Sequence, residues 1–213
     1  MFVDIHTHNA PVSDTVAIRN LSFSEAEALY NSEKEGFFSV GYHPWSSDEF
    51  TEESFSFLEK WTSNRRFIAI GECGLDKNSK VSLSIQFQVF EKQIALSEKI
   101  HKPLIIHCVG CFNELSELRK QLNPHQIWII HGFRSKHELA AQILKTGCFL
   151  SFGEFFNDES VRITPIDRLF IETDESSVPI EEIYKRIATV KGCRAEDLSA
   201  GMSLIKKIEK SQV

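Results

Sequence analysis

Short apolar runs rich in β-branched residues alternate with longer stretches in which apolar and charged positions recur near helical period. The runs cover residues 2–6, 15–21, 37–42, 67–71, 103–107, 127–131, 148–152 and 169–173. Several are apolar on both faces, as parallel strands covered by helices must be. Residues 24–34, 81–99, 112–121, 136–145 and 180–190 read as helices. Ser24 followed by Glu27 predicts a capping box at the first of these. The alternation predicts a parallel α/β fold, and eight strand candidates predict a (β/α)8 TIM-like barrel. One connection departs from that plan. Residues 9–14 alone separate the first two strand candidates, whereas a helical crossover needs about a dozen residues or more. Residues 15–21 are therefore expected to run antiparallel or outside the ring, leaving the barrel distorted or incomplete.

No repeat, low-complexity tract or Pro/Gly linker interrupts the pattern, so residues 1–213 are expected to form a single domain. The net charge of −6, with no Lys/Arg-rich block, argues against a broad surface for tracking duplex DNA. It leaves room for a small phosphate-bearing substrate, or one strand end, drawn in by bound cations. No apolar run approaches the ~20 residues of a membrane span, and the opening Phe2-Val3-Asp4-Ile5-His6 has no leader pattern. Five cysteines without regular spacing form no disulfide framework, so a reducing cytoplasm is expected.

The candidate chemistry sits at strand ends. His6 and His8 share one side of the first strand because residues i and i+2 face the same way. Glu72 and Asp174 directly follow later strand candidates, and His107 and His131 are the last residues of theirs. In a parallel barrel these ends share the rim where active sites lie. Imidazoles and carboxylates gathered there suit divalent cations such as zinc, manganese, nickel or magnesium.

The ordered motifs FVDIHTH, VGYHP, GECGLD, LIIHC, IIHGF and IETD resemble the TatD family of metal-dependent nucleases, from residue 2 to about 175. The resemblance implies two divalent metal ions, the first held by His6 and His8 and completed by Asp174, the second held by His107 and His131, with Glu72 bridging them. It also places His43 near the scissile phosphate, although a residue before Pro44 equally suits a turn. Two cations about 3.5–4 Å apart lower the pKa of a shared water and neutralise charge growing on a phosphoryl group. Asp174 is the expected acceptor of the water's proton, with Glu72 as its catalytic partner. The implied activity is a phosphodiesterase or deoxyribonuclease, such as a 3′-to-5′ exonuclease on single-stranded DNA ends. The alternatives are hydrolysis of a small-molecule amide, lactone or phosphomonoester, or a divergent binding protein. A monomer is favoured.

Some features depart from the family pattern. The family has a small residue, Arg and an acidic residue after the histidine equivalent to His107, and this chain has Cys108-Val109-Gly110. Proline after Asp174 is delayed to Pro179. Cys108 and Cys111 form a C-x-x-C that reads as small apolar packing or as a redox pair. Asp4 and Glu172 are placed to hydrogen-bond the histidines, Asp76 to cap a turn or helix, and Trp45, Phe133 and Phe155 to stack on a base or to fill the core.

Overall fold

The computed structural model describes residues 2–10 and 15–211. Its strands are β1 (Val3–Thr7), β2 (Val16–Asn20), β3 (Phe37–Val40), β4 (Phe67–Asp76), β5 (Leu104–Val109), β6 (Trp128–Ile130), β7 (Phe149–Phe152) and β8 (Leu169–Ile171). They follow one another in chain order in one eight-stranded sheet. β1, β4, β6 and β8 are buried along their whole length, which is why their sequences are apolar on both faces. The helices are α1 (Phe23–Tyr30), α2 (Glu52–Thr62), α3 (Leu83–Ile100), α4 (Phe112–Leu122), α5 (His137–Lys145), α6 (Asp158–Ile163), α7 (Ile180–Lys191) and α8 (Ala200–Ser211). The chain divides into two compact units, residues 1–19 with 129–213, and residues 20–128.

In the first unit, β1 pairs with β2 in parallel, with Val3 opposite Val16 and Asp4 opposite Ala17. The expectation that residues 15–21 would be antiparallel or outside the ring is therefore wrong. The error lies in demanding a helix for the return. β1 has five residues, about 16 Å of chain, and residues 8–15 can span more than ~25 Å when extended. A strand this short can be retraced by a plain loop. Part of that connection, residues 11–14, lies outside the described residues.

Tyr184 of α7 fastens the start of β1, donating to the Val3 carbonyl at 3.0 Å and accepting from the Val3 amide at 3.3 Å. Burial pushes this phenol up to about 12. Gly201 of α8 lets that helix lie against β1, since a Cβ there would sit 3.0 Å from the Val3 side chain. Leu204, Ile205 and Ile208 form the buried stripe of α8. α2, α6 and α8 have no counterpart among the predicted helices.

In the second unit, α1 is capped by Ser22 and Glu25, two residues before the predicted box at Ser24 and Glu27. The Leu21 amide is still bonded to the Ser39 carbonyl, so Ser22 is the first residue available to cap. Strand β4 continues to Asp76, past its predicted end at Gly71, so Glu72 lies within the strand. Its register against β5 shifts between Ile70 and Cys73. Gly74 permits the close approach that follows. Its φ is +133°, and a Cβ there would meet the His107 carbonyl oxygen at 2.1 Å. Gly192 makes a useful contrast, with φ +65° but nothing within 4 Å. Gly192→Ala therefore carries only a conformational cost of about 1 kcal/mol. Gly74→Ala also forces β4 and β5 apart at His107, and its loss in Tm is expected to be at least twice as large. Thermal denaturation of the two variants checks this, and equal losses would contradict the close-packing argument.

Candidate metal centre

The first unit carries His6, His8, His131 and Asp174. The segment after β8 is tied to the end of β1 by backbone bonds, His8 N–H to the Asp174 carbonyl at 3.1 Å and Asp174 N–H to the His6 carbonyl at 3.0 Å. Asp174 adopts φ +56°, a left-handed conformation that asparagine and aspartate tolerate better than most residues. Its Oδ1 lies 3.7 Å from His6 Nε2 and 3.6 Å from His8 Nε2. The ligand atoms of these three residues all lie within 4.8 Å of one another. Two imidazoles and a carboxylate at that spacing match the donor chemistry of a first-row divalent cation.

Asp4 and Glu172 support this cluster differently. Asp4 accepts from the Thr173 amide at 3.0 Å and its hydroxyl at 2.6 Å, anchoring β8 to β1 rather than holding a histidine ring. Burial lifts Asp4 to about 7, with the Thr173 bonds pulling the other way. Glu172 is fully buried. It accepts from the Gly132 amide at 2.5 Å and from the Ser151 hydroxyl, and its Oε1 lies 3.5 Å from His131 Nδ1. Burial pushes its carboxyl up, but His131, the charge of His6 and Ser151 outweigh that and hold it below the usual range. The His131 ring packs on His6 with centroids 4.5 Å apart.

The second unit brings together His43, Glu72 and His107, whose ligand atoms also lie within 4.8 Å of one another. Glu72 Oε1 is 3.6 Å from His107 Nδ1 and 4.0 Å from His43 Nε2. The other nitrogen of His107 is held by Asp76, with Nε2 3.1 Å from Oδ2. A carboxylate can only accept, so Nε2 carries the proton and Nδ1 keeps its lone pair for a cation. Asp76 is the residue whose role the sequence reading missed. It accepts from Trp45 Nε1 at 2.6 Å as well as capping the turn through the Asn78 amide at 2.7 Å. Burial raises its carboxyl, yet the bonds from Trp45, Asn78 and His107 leave it below the ordinary range.

His43 takes the turn role, one of the two alternatives read from the sequence. Its Nδ1 accepts from the Trp45 amide at 3.2 Å, capping the 3₁₀ turn Pro44–Glu49. Nε2 then bears the hydrogen and faces Glu72 as a donor, which suits a substrate oxygen better than a cation. Two buried glutamines of α3 hold these strand ends. Gln86 bonds the Asp76 backbone at 2.8 and 3.0 Å, and Gln93 bonds the Tyr42 backbone at 2.7 and 3.1 Å. Polar residues two turns apart on an otherwise core-facing helix side were the available signal. All five cysteines are thiols, and burial pushes Cys111 up, which favours packing over a redox pair. Phe133 is core, whereas Trp45 and Phe155 are 64% and 65% exposed.

Parallel strands in chain order and these donor clusters define a TIM-like α/β protein with metal-site chemistry. The chain belongs to the TatD family: the family model described as TatD related DNase matches residues 5–203. A metal-dependent hydrolase described as uncharacterized, YabD of Bacillus subtilis, is 34% identical over 144 residues, 63% of this chain and 56% of that one. The 3′-5′ ssDNA/RNA exonuclease TatD of Erwinia tasmaniensis is 28% identical over 63% of this chain and 56% of its own. The match thus spans just over half the length of these curated relatives. The crystal structure of YJJV, a TatD homologue from Escherichia coli K12, superposes with a TM-score of 0.82 at 18% identity over 97% of both chains. Among the described residues no helix is long and apolar enough to cross a membrane.

The assigned proton positions are directly measurable. Long-range 1H–15N spectra of the metal-free protein at pH 8 are expected to show His43 and His107 as Nε2–H tautomers. Asp76→Ala should shift His107 toward a mixture and leave His43 unchanged. An Nδ1–H form of either ring in the parent protein would refute the corresponding assignment.

Proposed function

We propose that this protein is a two-cation phosphodiesterase that removes nucleotides from single-stranded nucleic acid ends. The observation that carries the reading is the approach of one Asp174 oxygen to both His6 and His8. In this reading His6, His8 and Asp174 would hold one cation and His107 and His131 a second, with Glu72 in the bridging role that the family resemblance implies. The bridging comes from family membership, as does the choice of substrate, since relatives are named 3′-5′ ssDNA/RNA exonucleases. Zinc, manganese, magnesium or nickel suits the donors.

Bound cations supply Lewis acidity toward water and phosphoryl oxygen. The protein's own groups do the rest. Asp174 takes the proton of the attacking water, its side chain being partly open to solvent. Asp76 and Glu172 orient the rings of His107 and His131. His43 donates from Nε2 to a phosphoryl oxygen.

Exhaustive chelation is expected to abolish hydrolysis of both bis(p-nitrophenyl) phosphate and a dT oligonucleotide, and manganese to restore it. Asp174→Asn should lower kcat by about 10²–10⁴-fold. Glu72→Ala should be more damaging than His43→Ala. Full activity in verified metal-free protein would defeat the reading. Hydrolysis of small esters with an inert oligonucleotide would turn it toward a small-molecule hydrolase.

A further inference from the structure

Beside Asp174, the loops after β6, β7 and β8 enclose a cleft lined by Arg134, Glu154, Phe155, Asp174, Glu175 and Ser176. The positive charge in this cleft comes from Arg134, on the loop after β6. Phe133 anchors that loop. It is buried, its amide bonds the Ser151 carbonyl at 2.9 Å, and its ring meets Phe152 edge-on at 5.9 Å. Arg134 is therefore delivered to the surface, where its guanidinium lies over the Phe155 ring at 5.9 Å. Among the described residues no carboxylate pairs with Arg134.

The loop bearing Phe155 is held from behind. Arg186 bonds the Glu154 carbonyl at 2.9 Å and lies over the Phe156 ring at 5.1 Å. Asn157 then caps α6. Held in this way, Phe155 stays 65% exposed instead of folding into the core. The carboxylate of Glu154 accepts from Ser176 at 2.6 Å, which binds the loop after β7 to the loop after β8.

We propose that Arg134 and Phe155 form a subsite for one nucleotide next to the bond being cut, Arg134 donating to its phosphate and Phe155 stacking on its base. This rests on the phosphodiesterase reading. An uncommitted guanidinium against an exposed aromatic face is the pairing that single-stranded nucleic acids use, and it tolerates any base.

The test compares Arg134→Ala and Phe155→Ala with the parent protein. Binding of 5′-fluorescein-labelled dT6 is followed by anisotropy in EDTA, and turnover of dT6 and bis(p-nitrophenyl) phosphate is followed with manganese. Each variant should weaken dT6 binding about tenfold or more, and Arg134→Ala should also reduce the salt dependence by about one ion. KM for dT6 should rise with kcat nearly kept, and bis(p-nitrophenyl) phosphate turnover should stay within about twofold. Phe155→Trp should retain binding. Variants that bind dT6 like the parent, a parent that binds no dT6, or equal losses on both substrates would overturn the subsite. A manganese-loaded parent inert toward both substrates would defeat the proposed function instead, and the anisotropy series would still decide the subsite.

Discussion

The backbone pairing between the end of β1 and Asp174 governs the first donor set. His8 N–H and Asp174 N–H are each bonded across to the opposite segment, so His6, His8 and the Asp174 carboxylate are held by main chain rather than by flexible side chains. Asp4 reinforces the same join from below through Thr173, and Thr173 in turn lies 2.8 Å from the Thr7 hydroxyl. A buried carboxylate lifted to about 7 is an expensive anchor, and its bonds to Thr173 offset part of that desolvation. The backbone thus brings the histidines and the carboxylate to short range of one another. Preorganisation of this kind limits the ordering cost of capturing a cation.

Ring orientation is handled by a repeated device. A carboxylate engages one nitrogen of a histidine and so sets the orientation of its ring. Asp76 does this for His107, and Glu172 does it for His131. Both carboxylates are themselves multiply bonded, Asp76 by Trp45 and Asn78, Glu172 by Gly132 and Ser151, so both stay ionised despite burial. His43 is oriented by a backbone amide instead, which leaves it as a donor. The three rings thus have different chemical capacities although sequence spacing alone treats them alike.

Much of this was legible in the sequence because strand periodicity constrains it. His6 and His8 had to share a side, and apolar runs on both faces had to be buried strands. What escaped depends on contacts between distant segments. Asp76 reads as a turn residue until β5 is laid beside β4 and His107 comes within reach. The extension of β4 through Asp76 depends on glycines that tolerate close approach, a packing property invisible to hydrophobic pattern. The parallel pairing of β1 with β2 escaped because a rule for helical crossovers was applied to a strand short enough to be retraced by a loop. The capping box moved two residues because the bond from Leu21 to Ser39 fixes where β2 releases the chain.

The proposed function requires these donors to hold two cations. Anomalous diffraction from manganese-soaked crystals, recorded above and below the manganese edge, tests it most directly. Two anomalous peaks per chain are expected, one against His6, His8 and Asp174 and the other against His107 and His131, with Glu72 touching both. A single peak, or peaks that leave Glu72 uncoordinated, would contradict it.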